Sequence, residues 1–484
     1  MHVTATNRVS VEPRGAGVVA HVGLHALGAF ADRLGLSHLL SSRIAPRGER
    51  APVHDRGRVL THRALVIAGG GESCADIEHL RVQSDLFGHV ASDSTVHRTF
   101  HELNGATLAE LATATAQVRE KVWGRLALAT SKEPVLLDID ATVLEVHSEG
   151  KEGAAPHFKG GFGFHPMLCF ADATGEVLSG VLRAGNATAN TVCDHVNVLD
   201  AALSQLPAGI GAGHHVGDDA GHVTRSVIVR ADSAGCTEGF LAACRARHVG
   251  FFVTARSNAQ VTSAVFDAEG CDVWLPALTQ DGQTRDGAAV AELTSLITQG
   301  SLPEGTRLIV RREPLHPGAQ RSLIPSLDYR YWGFYTDQEG DPRDLDVTMR
   351  AHAHVENHIQ RLKDSGLTSM PFSNFAANAA WLFVVCLAGD LVRWFQLLCL
   401  SGSWKSATPD PALGTVPRAR TARSSQSPTR RARDRRMARD HGAHGLLRAH
   451  GPHHLTPSPP ARPTVATPGR NTFLGRRTMV QNVK

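Results

Sequence analysis

The order of apolar segments between residues 135 and 255 restricts this chain more than any other feature. Residues 135–146, VLLDIDATVLEV, alternate and are rich in branched side chains, which predicts a strand. Further strands are expected at 164–170 and 177–182, with Asp172-Ala173-Thr174-Gly175 as the turn between them. A helix over 191–206, a short strand at 226–229, a helix over 238–247 and a strand at 251–255 complete the run. Three strands in a meander followed by βα units leave few topologies, because sequential strands tend to be neighbours and parallel crossovers are right-handed.

That order fits an α/β catalytic domain of the ribonuclease-H-like type, expected over residues 131–400. Within it, residues 257–335 are less regular, with clear strands at 308–311 and 329–335, and read as a β-rich insertion. Helical period returns from 345 to 363, and 374–400 is a nearly all-apolar helix that must pack into a core. Residues 1–130 read as an all-helical N-terminal region. Helices are expected around Leu24–Leu34, over 59–67, over 95–103 behind the cap Ser92-Asp93-Ser94, and over 108–126. His79, Arg81, His97 and Arg98 lie among them, so a DNA-binding helix-turn-helix and a plain helical bundle both stand as readings.

Residues 401–484 differ from everything before them. Ten of the 24 prolines and 16 Lys and Arg against 3 Asp and Glu fall there, leaving 34 basic and 43 acidic residues in the preceding body. No apolar period runs through this segment, so a disordered basic tail is expected. Its cluster Arg430-Arg431-Ala432-Arg433-Asp434-Arg435-Arg436 suits electrostatic contact with nucleic acid. Out-of-frame translation of GC-rich DNA would give the same Arg, Pro, Ala, Thr and His mixture, and stands as the alternative. The eight cysteines form no CxxC pair, which favours reduced thiols. The N-terminal MHVTATNRVSVEPRGAG lacks a signal-peptide core. Asp390 and Arg393 interrupt the most apolar stretch. A cytoplasmic, nucleoid-associated protein without membrane contact is the expectation.

Four carboxylates stand out. Asp138 and Asp140 lie two apart on one strand and share a face. Asp232 sits just past the end of a second strand, where α/β sites collect, and Glu356 lies on a helix. Carboxylates from two strands and a helix suit a pair of Mg²⁺ ions, with Mn²⁺ as substitute, acting on a phosphodiester. Each acid alone has an ordinary explanation as a turn, cap or solvated residue; their combination carries the reading. His352, His354 and His358 surround Glu356, but Val355 follows His354 where a zinc protease places its Glu, so a phosphate site is favoured over zinc.

The blocks LDIDATVLEVHSEGKEGA, FGFHPML, VIVRADSA, VENHIQRLKD and NFAANAAWL, taken in order, resemble the group-1 DDE transposases of bacterial insertion sequences, the actinobacterial kind in particular. The resemblance covers about residues 10–405. It implies a ribonuclease-H-like enzyme using three carboxylates and two Mg²⁺ ions for DNA cleavage and strand transfer. Its DNA partners would be terminal inverted repeats and a target, engaged by a homo-oligomer in a synaptic complex. Carried over residue by residue, it implies Asp140 in Asp-Ala-Thr142 as the first acid, with Asp138 as fallback. Asp232 is then the second acid, Glu356 the third, and Lys363 the DNA-binding lysine of a Glu-x6-Lys spacing. The family's Tyr and Arg before the Glu are absent, replaced by Met349 and His352. Further sequence that relatives carry beyond Trp404-Lys405 is absent too. A non-transposing Mg²⁺ nuclease and a catalytically impaired DNA-binding relic are the competing functions.

Overall fold

The N-terminal helices form where apolar spacing and capping residues coincide. Helix α1 (Val22–Leu34) stops at Gly35, whose left-handed φ of 74° caps it and opens α2 (Leu36–Ser42). Asp55 caps α3 (Arg56–Ala68) by accepting the Arg58 N–H at 2.8 Å. Helix α4 (Asp93–Glu102) follows Ser92, and Asn104 caps α5 (Gly105–Trp123). Three one-turn helices between Cys74 and Phe87 were not anticipated; they are too short to show a period.

The computed structural model describes residues 21–44, 52–298, 300–315 and 329–405, all within the compact unit Met1–Arg420. Of the disordered basic tail expected over 401–484, residues 401–405 are described and end in a 3₁₀ turn, Gly402–Lys405; the rest lies outside the described residues.

The meander and βα units appear in the expected order. Strands β1 (Val135–Ala141), β2 (Leu144–Glu145), β3 (Ala155–Pro156), β4 (Phe162–Phe164), β5 (Met167–Ala171) and β6 (Glu176–Val181) come first. Then follow α6 (Val192–Leu203), β7 (Val227–Ala231), α7 (Glu238–Arg245) and β8 (Val249–Thr254). The single strands expected over 135–146 and 164–170 are each split. Pro166, which has no N–H for a ladder, sits at the second break. The pieces β2, β4 and β3 form a separate three-stranded sheet in that order.

Residues 257–335 contribute α8 (Ala259–Glu269), β9 (Leu275–Leu278), β10 (Thr284–Glu292), β11 (Arg307–Pro314) and β12 (Tyr329–Thr336). They are β-rich, as expected, but they extend the main sheet: β12 pairs antiparallel with β8, Phe334 opposite Thr254. The result is a nine-stranded sheet in the order β6-β5-β1-β7-β8-β12-β11-β10-β9. Among the described residues the parallel ladders are β1–β7 and β7–β8. The helix expected over 345–363 is broken: α9 (Pro342–Arg350), a 3₁₀ turn Ala351–Ala353, then α10 (His354–Leu362).

Helix α11 (Phe375–Cys399) is long and apolar enough to cross a membrane, yet Trp381, Val385, Leu391 and Trp394 are buried in this protein's own core. It packs on α3, α5 and β6, so one apolar cluster runs from Leu24 through the nine-stranded sheet to Phe395. The buried acid of this helix is paired. Asp390 accepts from Arg119 and from the Val177 N–H at 2.7 Å, while Arg119 also pairs with Glu176 at 3.0 Å. Glu176 accepts the Trp123 indole N–H at 2.7 Å and the Trp394 indole N–H as well. This buried knot ties α5, β6 and α11 together.

Candidate active site

Strand β1 carries two carboxylates with opposite fates. Asp138 is fully buried, and the Arg230 guanidinium of β7 donates to both of its oxygens, at 2.8 and 2.7 Å. The parallel ladder sets Asp138 directly across from Arg230. The third donor position of Arg230 bonds the Thr348 carbonyl of α9 at 2.8 Å, and Asp172 lies 2.9 Å away. His352 Nδ1 lies 2.7 Å from Asp138 Oδ1. Burial alone would raise the Asp138 pKa, but the hydrogen bonds from His352 and Arg230 outweigh it and hold the group below the usual carboxylate range. Both oxygens of Asp138 are therefore engaged within the protein, unlike the free metal-binding carboxylate the strand pattern suggested.

Asp140 is half-buried and has no such partner. Its one hydrogen bond is accepted from the Ala141 N–H at 2.7 Å. Burial pushes its pKa up to about 6, and the charges of Asp232 and Glu356 push in the same direction. The paired rungs of β1 and β7 end at Ile139 and Ala231, so Asp140 and Asp232 are each the next residue along adjacent strands. Asp232 is exposed and accepts the Ala234 N–H at 2.9 Å, while Glu356 is exposed in the first turn of α10. Among the described residues none of the three makes an ion pair. Lys363 is the C-terminal cap residue of α10; burial lowers its pKa, Lys159 adds to the effect, and the Asp140 charge opposes it. Asp140, Asp232, Glu356 and Lys363 thus share one electrostatic neighbourhood.

Of the three histidines, His354 is exposed, 3.4 Å from Asp172, whereas His358 stacks on Phe170 at 5.4 Å, and burial lowers its pKa to about 4. They do not converge as a zinc set. Among the described residues no three His, Cys, Asp or Glu side chains close into a ready-made metal cage. The chemistry of the donors nevertheless fits a hard cation: uncompensated carboxylates repel one another until positive charge arrives. Mg²⁺ sites use one or two protein carboxylates and leave the other positions to water and phosphate. Beside Asp232, a cavity of about 570 Å³ opens between Ser233, Arg256, Phe266 and Trp332.

Reasoning from sequence missed Arg230 and the role of His352. The signal was present: a single arginine inside the apolar strand Val-Ile-Val-Arg-Ala, matched by a single aspartate inside Leu-Leu-Asp-Ile. Opposite charges in two buried strands require each other.

The family profile of the group 1 transposase DDE domain matches residues 1–411. The chain belongs to this transposase family. Among solved structures, this transposase-family chain is similar to a piggyBac transposase in a cryo-EM synaptic complex with hairpin DNA. The identity is 9% and the TM-score 0.37, covering 78% of this chain and 75% of that one. No curated protein matches it.

Proposed function

We propose that this chain is a transposase that cleaves the ends of its own mobile element and joins them to target DNA. Asp140, Asp232 and Glu356 are its catalytic carboxylates. The observation that carries the reading is that Asp140 of β1 stands one step past the β1–β7 ladder beside Asp232 and feels the charges of Asp232 and of Glu356 on α10, while among the described residues none of the three makes an ion pair. Asp140 and Asp232 stand at the carboxyl end of parallel strands, in a chain of the transposase family. The core strands β6-β5-β1-β7-β8 are read as the ribonuclease-H-like domain, with residues 257–335 inserted between β8 and the helix of the third acid. Exposed His97, Arg98 and His101 on α4 make the N-terminal region the candidate for recognising terminal inverted repeats.

Asp140, Asp232 and Glu356 would hold Mg²⁺ or Mn²⁺, which when bound supplies charge neutralisation for in-line phosphoryl displacement. Asp138 is assigned a positioning role. Clamped by Arg230 and His352, it fixes β1 against β7 and both against the 3₁₀ turn that leads into α10. Lys363 holds a phosphate of the bound strand as a point charge. Pairing of two ends calls for a homo-oligomer.

The test is incubation of the full chain with labelled duplexes spanning the two boundaries of the element and its flank, in Mg²⁺ or Mn²⁺. Nicking at the boundary and joining of the freed 3′ ends to a plasmid support the reading. Binding without cleavage in either metal would reduce the protein to a DNA-binding relic, and cleavage without joining would make it a nuclease.

A further inference from the structure

The hairpin joining β3 to β4 presents His157-Phe158-Lys159-Gly160-Gly161 at its tip. The turn is rigid for identifiable reasons. The His157 N–H donates to the Gly161 carbonyl at 3.0 Å, and the Gly160 N–H donates to the His157 carbonyl at 3.0 Å. The His157 ring is buried and accepts the Lys159 N–H on Nδ1 at 3.3 Å. Gly160 has φ of +85°, and a Cβ on Gly161 would lie 2.6 Å from His157 Nε2, so both glycines are required. Held this way, the tip pushes Phe158 outward to 74% exposure, the highest of any Phe, Tyr or Trp side chain given among the described residues. The Lys159 ammonium lies 5.7 Å from the centre of that ring.

Through Lys159 this tip lies within electrostatic reach of Lys363, the residue at the end of α10 that also feels Asp140. The tip's small sheet follows directly on the strand of Asp140: β4 pairs with β2, and between the two sheets the Thr142 N–H donates to the Pro166 carbonyl at 3.0 Å. Lys159 and Lys363 are close enough to repel, and among the described residues neither makes an ion pair. Two unpaired cations beside three unpaired carboxylates have complementary needs, and a phosphodiester meets those of the lysines. An exposed aromatic ring next to them offers a stacking face. Bases inside a duplex are already stacked on both sides, so the ring suits a base released from pairing.

We propose that Phe158 and Lys159 form a contact for an unpaired DNA strand, Phe158 stacking on a base while Lys159 and Lys363 hold the adjoining phosphate. The proposal rests on the reading of this site as DNA-cleaving, and it adds a strand-separating element that the carboxylates do not provide.

The test uses the full chain and two fluorescein-labelled duplexes of one sequence, one fully paired and one with a short unpaired bulge. A 2-aminopurine in the bulge reports stacking. Phe158→Ala is expected to weaken binding of the bulged duplex about tenfold and to abolish the 2-aminopurine quench, while scarcely changing the paired duplex. Phe158→Trp should restore both. Lys159→Ala should lower the slope of log affinity against log salt by about one. An unchanged affinity of Phe158→Ala for the bulged duplex overturns the proposal, as does an equal loss on both duplexes. A change in oligomeric state with DNA binding intact also overturns it, by making Phe158 a contact between copies. Cleavage of paired end DNA by the unaltered protein, run alongside, separates the two readings. If cleavage occurs and Phe158→Ala behaves normally, only the hairpin proposal fails; if the unaltered protein neither binds nor cuts, both fail.

Discussion

Replacing Asp140 by Asn should make the metal-free protein more stable at neutral pH, although it removes a carboxylate from the centre of the site. Asp140 has a pKa displaced from 3.8 to about 6, by burial first and by the Asp232 and Glu356 charges second. Its folded form therefore binds a proton more tightly than its unfolded form. The sign follows: ionising Asp140 draws stability out of the native state as pH rises from about 4 through about 6, and the loss is complete at pH 7. At about 1.4 kcal/mol per pH unit the full displacement is about 3 kcal/mol. The side chain is partly exposed, so screening by solvent reduces this to about 1–2 kcal/mol. Asn keeps the oxygen that accepts the Ala141 N–H, so little else is lost. Urea unfolding of EDTA-treated protein, followed by tryptophan fluorescence, should show Asp140→Asn above the parent at pH 7.5 and level with it near pH 4. Added Mg²⁺ should stabilise the parent more than the variant. A variant destabilised equally at both pH values would refute the reasoning, because Asp140 would then be making favourable contacts rather than facing unrelieved repulsion.

Arg119→Ala leaves Glu176 and Asp390 buried without their cation, and should destabilise the protein by about 3–5 kcal/mol in urea unfolding at pH 7. A loss below about 1 kcal/mol would mean that the knot relaxes or takes up a proton. Asp138→Asn and Arg230→Met should couple by at least about 1 kcal/mol in a double-mutant cycle, since each is the other's bidentate partner; additive effects would dissolve the clamp. Lys363→Ala should weaken end binding and cleavage together and lower the salt slope by about one. Normal binding with cleavage lost would move Lys363 into the chemical step.

Much of the fold was legible because the signals were local. The Ser92-Asp93-Ser94 cap and the glycine at position 35 place two helix ends within a residue or two, whereas the helices expected over 59–67 and 108–126 each begin three residues earlier, behind the caps Asp55 and Asn104 that the apolar period alone does not mark. Branched alternation places β1, β6, β7 and β8. What was hidden depends on residues far apart in the chain. Nothing within VLLDIDATVLEV shows that pairing to β7 stops at Ile139 and pairing to β5 at Ala141, while Leu144 and Glu145 pair in another sheet. Strands β9 to β12 join the main sheet through the β12–β8 ladder, a partnership of Thr254 with Phe334 that no local period encodes. The candidate site was legible as residue types and positions. The separation of Asp138 from Asp140 was not, because the two are equivalent in pattern and differ in what stands across the ladder: Arg230 for one, Leu168 for the other on the β5 side.

The most direct test of the central claim compares the unaltered protein with Asp140→Asn, Asp232→Asn and Glu356→Gln on one labelled end duplex, measuring binding and strand cleavage in the same samples with Mn²⁺. Each substitution keeps the side-chain shape and removes one charge. The account predicts near-normal binding and no detectable cleavage for all three, and no cleavage by the unaltered protein after EDTA treatment. Cleavage at the parent rate by any one of the three, or by metal-free protein, would contradict it.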